Sequence, residues 1–340
     1  MVKKALLVGI NYYSVPGATL NGCINDITNM KNTLITNYGY TENDIVMLRD
    51  DSPQYRQPTA QNIVGWLNAL IAISSQCEEV WFHYSGHGSS IRDTNGDERT
   101  GLDSVIVPLD FQSVGVIVDD LIFSLVKNSK CRTMLLFDSC NSGSVCDLIW
   151  SYEYTSGNNY RRSQINNFDV SNKNIFCISG CKDTQTSADI YETEDNQYEG
   201  AFTDAFIHSL KNNNYSGSLL KIYKDTCVIL QTKGYSQKPL LSSTSPNITY
   251  SIQKKAASKY MMLIGGVGGF PTISAGEPQS PQTPPSSRSI ATTTSMIGAL
   301  KMPVSIKPSM KMSFCYDAAH LRKISILLRP SDSAKFRLLF

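Results

Sequence analysis

The stretch EEVWFHYSGHGSS, residues 78–90, passes from two acidic residues through a nearly unbroken apolar run into a turn of glycine and serine. A short apolar run bounded by turn residues predicts a strand buried on both faces, as in the interior of a parallel sheet. Comparable runs occur at KALLVGI (4–10), DIVMLRD (44–50), RTMLLFDS (132–139), NIFCISG (174–180) and KPLLSST (238–244). Helical patterns fall near 21–37, 59–74, 119–128, 200–212 and 216–232. This alternation over the first 180 residues predicts an α/β fold, with a mostly parallel central sheet flanked by helices on both faces. DSVIVPLD and VGVIVDD read as a short hairpin between the third and fourth strands. Residues 151–172 are polar and without period, and an exposed loop is expected there.

The chain has 340 residues, 41% of them hydrophobic and 18% charged, enough apolar content for a large core. A net charge of +2 conceals an asymmetry: residues 1–253 carry −7 and residues 254–340 carry +9. The expected organisation is therefore one domain over 1–253 and a basic, Pro/Ser/Thr-rich, disordered tail over 254–340. The tail lacks the aromatic interleaving of nucleic-acid-binding segments, and no nucleic acid is expected as a partner. Nine cysteines, odd in number and without a Cys-x-x-Cys pair, point to a reduced, cytoplasmic setting. The apolar run after Lys3 and Lys4 is too short for a signal core. MMLIGGVGGF (261–270) is about half of a membrane span.

In an open parallel sheet, ligands gather beyond the carboxyl ends of the strands. The third strand ends in SGHG and the fourth in FDSCNSG, so both deliver reactive groups to one edge. His87 stands between Gly86 and Gly88, whereas His83 lies within the strand and reads as a core or groove histidine. A lone cysteine is usually a small buried hydrophobe. Cys140 instead opens the turn CNSG at a strand end, where a thiol can attack a substrate and a neighbouring histidine can exchange its proton. Asp138 precedes Cys140 by two and shares its face of the strand. Asp26 follows Cys23 by three at the start of a helix, where the helix dipole also favours a carboxylate. Two carboxylates beside a cleft would hold a guanidinium or ammonium group. RDTNGDERTGLDS looks like an EF-hand loop, but Gly96 falls at position four from Asp93 and no glutamate follows at twelve.

HYSGHG and DSCNSG, joined by GLDSVIVPLD and preceded by LNGCINDI (20–27), resemble the metacaspases, caspase-like cysteine proteases of plants, fungi, protists and bacteria. ISGCKDTQTSADI (178–190), GAFTDAF (200–206) and KGYSQKPLLSS (233–243) extend the resemblance in order, from residue 3 to about 250. It implies a caspase-like fold and a His87–Cys140 dyad, with the backbone N–H groups of Gly88 and Cys140 as oxyanion hole. It also implies a pocket of Cys23, Asp26, Ser85 and Asp138 that selects Arg or Lys before the scissile bond of a polypeptide substrate. An activating Ca²⁺ site of Asp103, Asp119, Asp120 and Asp147 follows from the same resemblance, with no organic cofactor. Asn141 stands where the family usually has histidine, and a tuned site is expected. Self-cleavage is expected at basic residues such as Arg162, Lys255 or Arg288, and the protein is expected to be monomeric. The alternative is a catalytically weak caspase-fold scaffold or regulator.

Overall fold

A computed structural model describes residues 2–93, 101–139, 146, 148–180, 189–192 and 197–256, with backbone alone at 189–192 and 197–199. β1 (Lys3–Gly9) is followed by α1 (Cys23–Tyr38), β2 (Ile45–Arg49), α2 (Ala60–Ala72) and β3 (Glu79–Ser85). A side sheet comes next, made of β4 (Gly88–Arg92), β5 (Leu102–Ile106) and, after the one-turn α3 (Phe111–Val114), β6 (Ile117–Val118). α4 (Asp119–Val126) returns the chain to β7 (Arg132–Asp138). Then come β8 (Trp150–Ser156), β9 (Asn159–Gln164), β10 (Ile175–Ser179), the ribbon β11 (Asp189–Glu192) and β12 (Gln197–Gly200), α5 (Ala201–Asn212), β13 (Gly217–Ser218), α6 (Leu219–Thr232), β14 (Leu240–Ser243) and β15 (Ser251–Ile252).

The central sheet has the order β2-β1-β3-β7-β10-β14-β8-β9, parallel from β2 to β10 and antiparallel beyond. Every residue of β3 is buried, as its continuous apolar run requires. Side chains alternate between the faces. Ala5, Leu7, Trp81, Met134, Leu136, Phe176 and Ile178 therefore share one face, packed in a single core with residues of α1, α5 and α6. Leu6, Val8, Phe82, Leu135 and Phe137 take the other, where α2 packs beside β1 and α4. α1 buries Ile24, Ile27, Met30 and Leu34, a helical spacing of three and four that fits one apolar stripe. Truncating a fully buried residue such as Leu136 to alanine would cost about 2–5 kcal/mol.

The hairpin expected around 103–120 is present as β5 and β6, with β4 added on its other side. The exposed loop expected at 151–172 is not. Its first half is the β8–β9 hairpin, which turns at Gly157 and extends the central sheet by two strands. Polar composition hid the strand signal, because the inward residues are tyrosines spaced by two: Tyr152 is buried, and Tyr154 and Tyr160 pack against the core. α6 starts at Leu219 rather than near 216, since the Ser218 side chain caps it by accepting the Lys221 N–H.

At the amino-terminal edge of the sheet, Glu79 accepts hydroxyl hydrogen bonds from Tyr40 at 3.0 Å and Tyr250 at 2.9 Å and pairs with Arg132 Nε at 2.8 Å. β15 pairs with β13, and the Lys255 N–H donates to Asn37 O at the last turn of α1. These contacts tie residues 250–255 to that edge. No helix among the described residues is long and apolar enough to cross a membrane.

Candidate active site

Register sets the opposite edge. Gly9 pairs with Ser85 and Ser85 with Asp138, so β1, β3 and β7 end in line. His87 follows β3 by two residues and is held at four points. Its N–H donates to Tyr12 Oη at 3.0 Å, its carbonyl accepts from Tyr84 Oη at 2.7 Å, and its ring lies 4.6 Å from the ring of Tyr12. Its Nε2 stands 2.7 Å from the carbonyl oxygen of Ala18. A carbonyl can only accept, so Nε2 carries the hydrogen and Nδ1 is the nitrogen suited to exchange a proton. The Val107 N–H donates to His87 O at 3.2 Å, which makes these two a hydrogen-bonded antiparallel pair. Gly88 and Ile106 are then the next, non-bonded pair, and the Gly88 N–H faces away from β5.

Beside His87 two carboxylates converge. Asp26 and Asp138 are 1% and 3% exposed. Asp26 Oδ2 accepts from Ser85 Oγ at 2.5 Å and Oδ1 from the Gly200 N–H at 2.8 Å, while Asp138 Oδ2 accepts from the Thr203 N–H at 2.8 Å. Both carboxylates thus lie at the amino-terminal end of α5, where the helix dipole favours negative charge. Gly200 has no room for a side chain: a Cβ there would overlap Asp138 Oδ2 and lie 2.7 Å from Asp26 Oδ2. Cys23, the first residue of α1, is buried, and its N–H donates to Asn11 Oδ1. His83 is a core histidine. It is fully buried, its Nε2 lies 3.2 Å from Thr203 Oγ1, and burial pushes its pKa down to about 3, so the ring is neutral.

A second acidic group gathers where β5 meets β6. Asp103 lies in β5, and Asp119 and Asp120 open α4 directly after β6. Asp103 and Asp119 are 3% and 2% exposed, and Asp119 accepts the N–H groups of Ser104 at 3.0 Å and Asp120 at 2.9 Å. These are hard oxygen donors, of the type that suits Ca²⁺. Among the described residues no three His, Cys, Asp or Glu side chains form a metal-holding group.

Cys140, Asn141, Asp147 and Arg288 lie outside the described residues. Arg162 does not lie in a loop: it sits in the edge strand β9 opposite Tyr152, with Nη1 on Pro246 O at 2.7 Å and its guanidinium over Trp150. Lys255 is exposed.

Residues 3–149 match the family model for the metacaspase, peptidase C14 domain. Metacaspase-1 of the yeast Scheffersomyces stipitis is 36% identical over 291 residues, covering 72% of this chain and 71% of that protein. The chain belongs to the metacaspase family. Metacaspase-1 of Meyerozyma guilliermondii is similar to the same degree, 36% over 291 residues, covering 72% of this chain and 70% of its own. This metacaspase is thus a cysteine peptidase, a hydrolase of peptide bonds. Among solved structures, a protein of Geobacter sulfurreducens (21% identity, TM-score 0.48, 73% of this chain and 95% of that one) is similar to it. So is caspase-1 of Spodoptera frugiperda (10%, TM-score 0.47, 72% and 88%).

Sequence reasoning about this metacaspase missed Tyr12, Ala18 and Thr203. The only signal was position: Tyr12 and Ala18 follow the end of β1, and Gly200 and Thr203 belong to GAFTDAF, whose role its composition does not disclose. Gly86 leaves space for hydroxyls: a Cβ there would lie 2.7 Å from Tyr84 Oη and 3.1 Å from Tyr12 Oη.

Proposed function

We propose that this metacaspase is a calcium-activated endopeptidase that cleaves after Arg or Lys through His87 and Cys140. The convergence of Asp26, Ser85 and Asp138 on the sheet edge that carries His87 is the observation that supports it. On this reading the Cys140 thiolate attacks the scissile carbonyl carbon, and the Gly88 and Cys140 N–H groups take the charge that develops on its oxygen. The C–N bond breaks as His87 Nδ1 gives its proton to the leaving amine. Water then loses a proton to Nδ1, attacks the thioester, and releases the acid and the thiolate. Cys23, Asp26, Ser85 and Asp138 line the pocket, where a guanidinium or ammonium group offsets the two buried carboxylates.

Asp103, Asp119, Asp120 and Asp147 are the residues proposed to hold Ca²⁺, which would neutralise the acidic group between β5 and β6. The donor type supports this reading, as does the bond to Asp119 from the N–H of Ser104, the residue after Asp103. The protein is proposed to be a monomer, because the edge strand β9 presents Arg161 and Arg162, charges that discourage strand-to-strand association. For self-processing, bonds beyond the folded strands are better substrates than the one after Arg162, which is paired within β9. Lys255 and Arg288 are the sites proposed.

The test is hydrolysis of peptides that differ only in Arg, Lys or Asp before the scissile bond, by the native enzyme and by Cys140→Ala and His87→Ala. Cleavage after Arg and Lys that both variants lose is the expected result. Preference for Asp, or thiol-dependent cleavage by Cys140→Ala, would overturn the reading.

A further inference from the structure

His87 lies between two glycines, so its own backbone has little intrinsic restraint. In a regular antiparallel ladder its N–H would donate to the carbonyl of Val107, completing the bond that Val107 N–H makes to His87 O. The structure has something else there. The Tyr12 hydroxyl accepts the His87 N–H at 3.0 Å and passes its own hydrogen to Val107 O at 2.6 Å. It is inserted into the ladder between the two groups. The Tyr84 hydroxyl gives its hydrogen to His87 O at 2.7 Å and accepts from the Val107 N–H at 3.2 Å. Both peptide groups flanking the His87 Cα are therefore fixed by phenols reaching from β3 and from the end of β1.

Several features agree with a built device. Tyr12 and Tyr84 are fully buried, and Tyr12 adopts a left-handed φ of 56°, a backbone state that costs a bulky residue of the order of 1–3 kcal/mol. Burial holds the Tyr12 phenol well above its ordinary pKa, so it keeps the hydrogen it donates. The Tyr12 ring also lies against the imidazole, and Ala18, six residues on, holds Nε2 through its carbonyl. The segment 12–18 thus touches both the backbone and the ring of one residue.

We propose that Tyr12 and Tyr84 are positioning residues for His87: the two hydroxyls complete the strand ladder around it, of which one bond is kept, and aim Nδ1 at the reacting thiol. The inference rests on His87 being the acid–base group. A misplacement of about 1 Å can lower a rate on the order of a hundredfold without weakening binding. A packing role alone would lower stability and leave the kinetics of the folded enzyme unchanged.

The experiment compares Tyr12→Phe, Tyr84→Phe and His87→Ala with the native enzyme, using a peptide with Arg before the scissile bond. It also follows the pH dependence of thiol alkylation by iodoacetamide. In each phenylalanine variant kcat should fall on the order of tenfold to a hundredfold, with KM within about twofold. The pH at which the thiol becomes reactive should rise, because the imidazole no longer sits to stabilise the thiolate. Gly86→Ala, which crowds both hydroxyls without removing either, should give the same pattern and serves if a phenylalanine variant does not fold. Folded variants with native kcat and native alkylation profile, while His87→Ala is inactive, would overturn the clamp and leave the role of His87 standing. An active His87→Ala would instead overturn the reading on which the clamp rests.

Discussion

Thr203 donates its backbone N–H to Asp138 Oδ2 at 2.8 Å, while three residues earlier Gly200 donates to Asp26 at the same distance. One turn of α5 therefore orients both carboxylates of the pocket, and the missing side chain of Gly200 is the condition for it. Gly200→Ala should displace the carboxylates and lower kcat/KM for peptides cleaved after Arg or Lys. Overpacking of this kind costs about 1–3 kcal/mol of stability, and a displacement of about 1 Å in the pocket can lower the rate on the order of a hundredfold. Asp138→Asn should be more severe, since losing one partner of a desolvated charge pair costs about 2–5 kcal/mol. Steady-state kinetics with Arg and Lys peptides measure both. Unchanged kcat/KM in Gly200→Ala would show that α5 does not hold the pocket.

Two histidines near that turn should respond to pH with opposite sign. His83 is buried with its pKa lowered to about 3, while an unfolded chain takes up the proton near 6.5. Its contribution is complete above about pH 6.5 and is lost as pH falls, by up to about 1.4 kcal/mol per pH unit. His208, half-buried, faces Asp204 at 2.7 Å and has its pKa raised by that hydrogen bond, with Lys233 nearby opposing the rise. Its contribution is complete below about pH 6.5 and is lost as pH climbs through the raised value. Melting temperatures from pH 4.5 to 9 should therefore decline less steeply on the acid side in His83→Leu. His208→Gln should bring its largest loss below pH 6.5 and converge on the native protein in alkali. Parallel curves for all three proteins would refute the assignment.

The central strands were legible because β1, β3, β7 and β10 are continuous apolar runs, and the reactive turns stand where those runs stop. The β8–β9 hairpin was not, because its inward residues are tyrosines among serines, asparagines and arginines, a pattern that hydrophobicity scores as polar. The pocket carboxylates could be placed from their strand and helix positions. The groups that hold them could not, because Gly200 N–H reaches Asp26 across 174 positions of the chain. The same is true of Tyr12 and His87, 75 positions apart. Such bonds follow from the assembled tertiary fold and have no local spacing to announce them.

Calcium dependence should be separable from folding. Asp120 is less buried than Asp103 and Asp119. Asp120→Ala should therefore leave the melting temperature of the metal-free protein within about 1 °C, consistent with a surface substitution of less than 0.5 kcal/mol. It should raise the calcium concentration for half-maximal activity by on the order of tenfold, as loss of one carboxylate ligand implies. Isothermal calorimetry and a calcium titration of activity read the two effects. Full activity of the native enzyme in excess chelator would refute the calcium site.

The position of Lys255 decides how self-cleavage could occur. Its N–H donates to Asn37 O, and Lys3 Nζ lies on Tyr38 O, so residue 255 is tied to the amino-terminal edge of the sheet. His87 is at the other edge, the length of a seven-residue strand away, roughly 23 Å at about 3.3 Å per residue. The bond after Lys255 is thus held away from the dyad of its own molecule and should be cut only by another. Arg288 stands 33 residues farther along the chain, a contour far longer than the sheet, and a cut there can be made within one molecule. The charges of −7 on residues 1–253 and +9 beyond favour that encounter at low salt and weaken it as salt rises. Mass spectrometry after calcium addition, at enzyme concentrations spanning a hundredfold, should find the fragment ending at Arg288 appearing at a first-order rate independent of concentration. The fragment ending at Lys255 should appear faster in proportion to concentration. A chain ending at Gln253 should hydrolyse peptides faster than the full chain at low salt and equally at high salt. Equal rates at every salt concentration, with no fragment ending in Lys or Arg, would leave the tail without influence on the cleft.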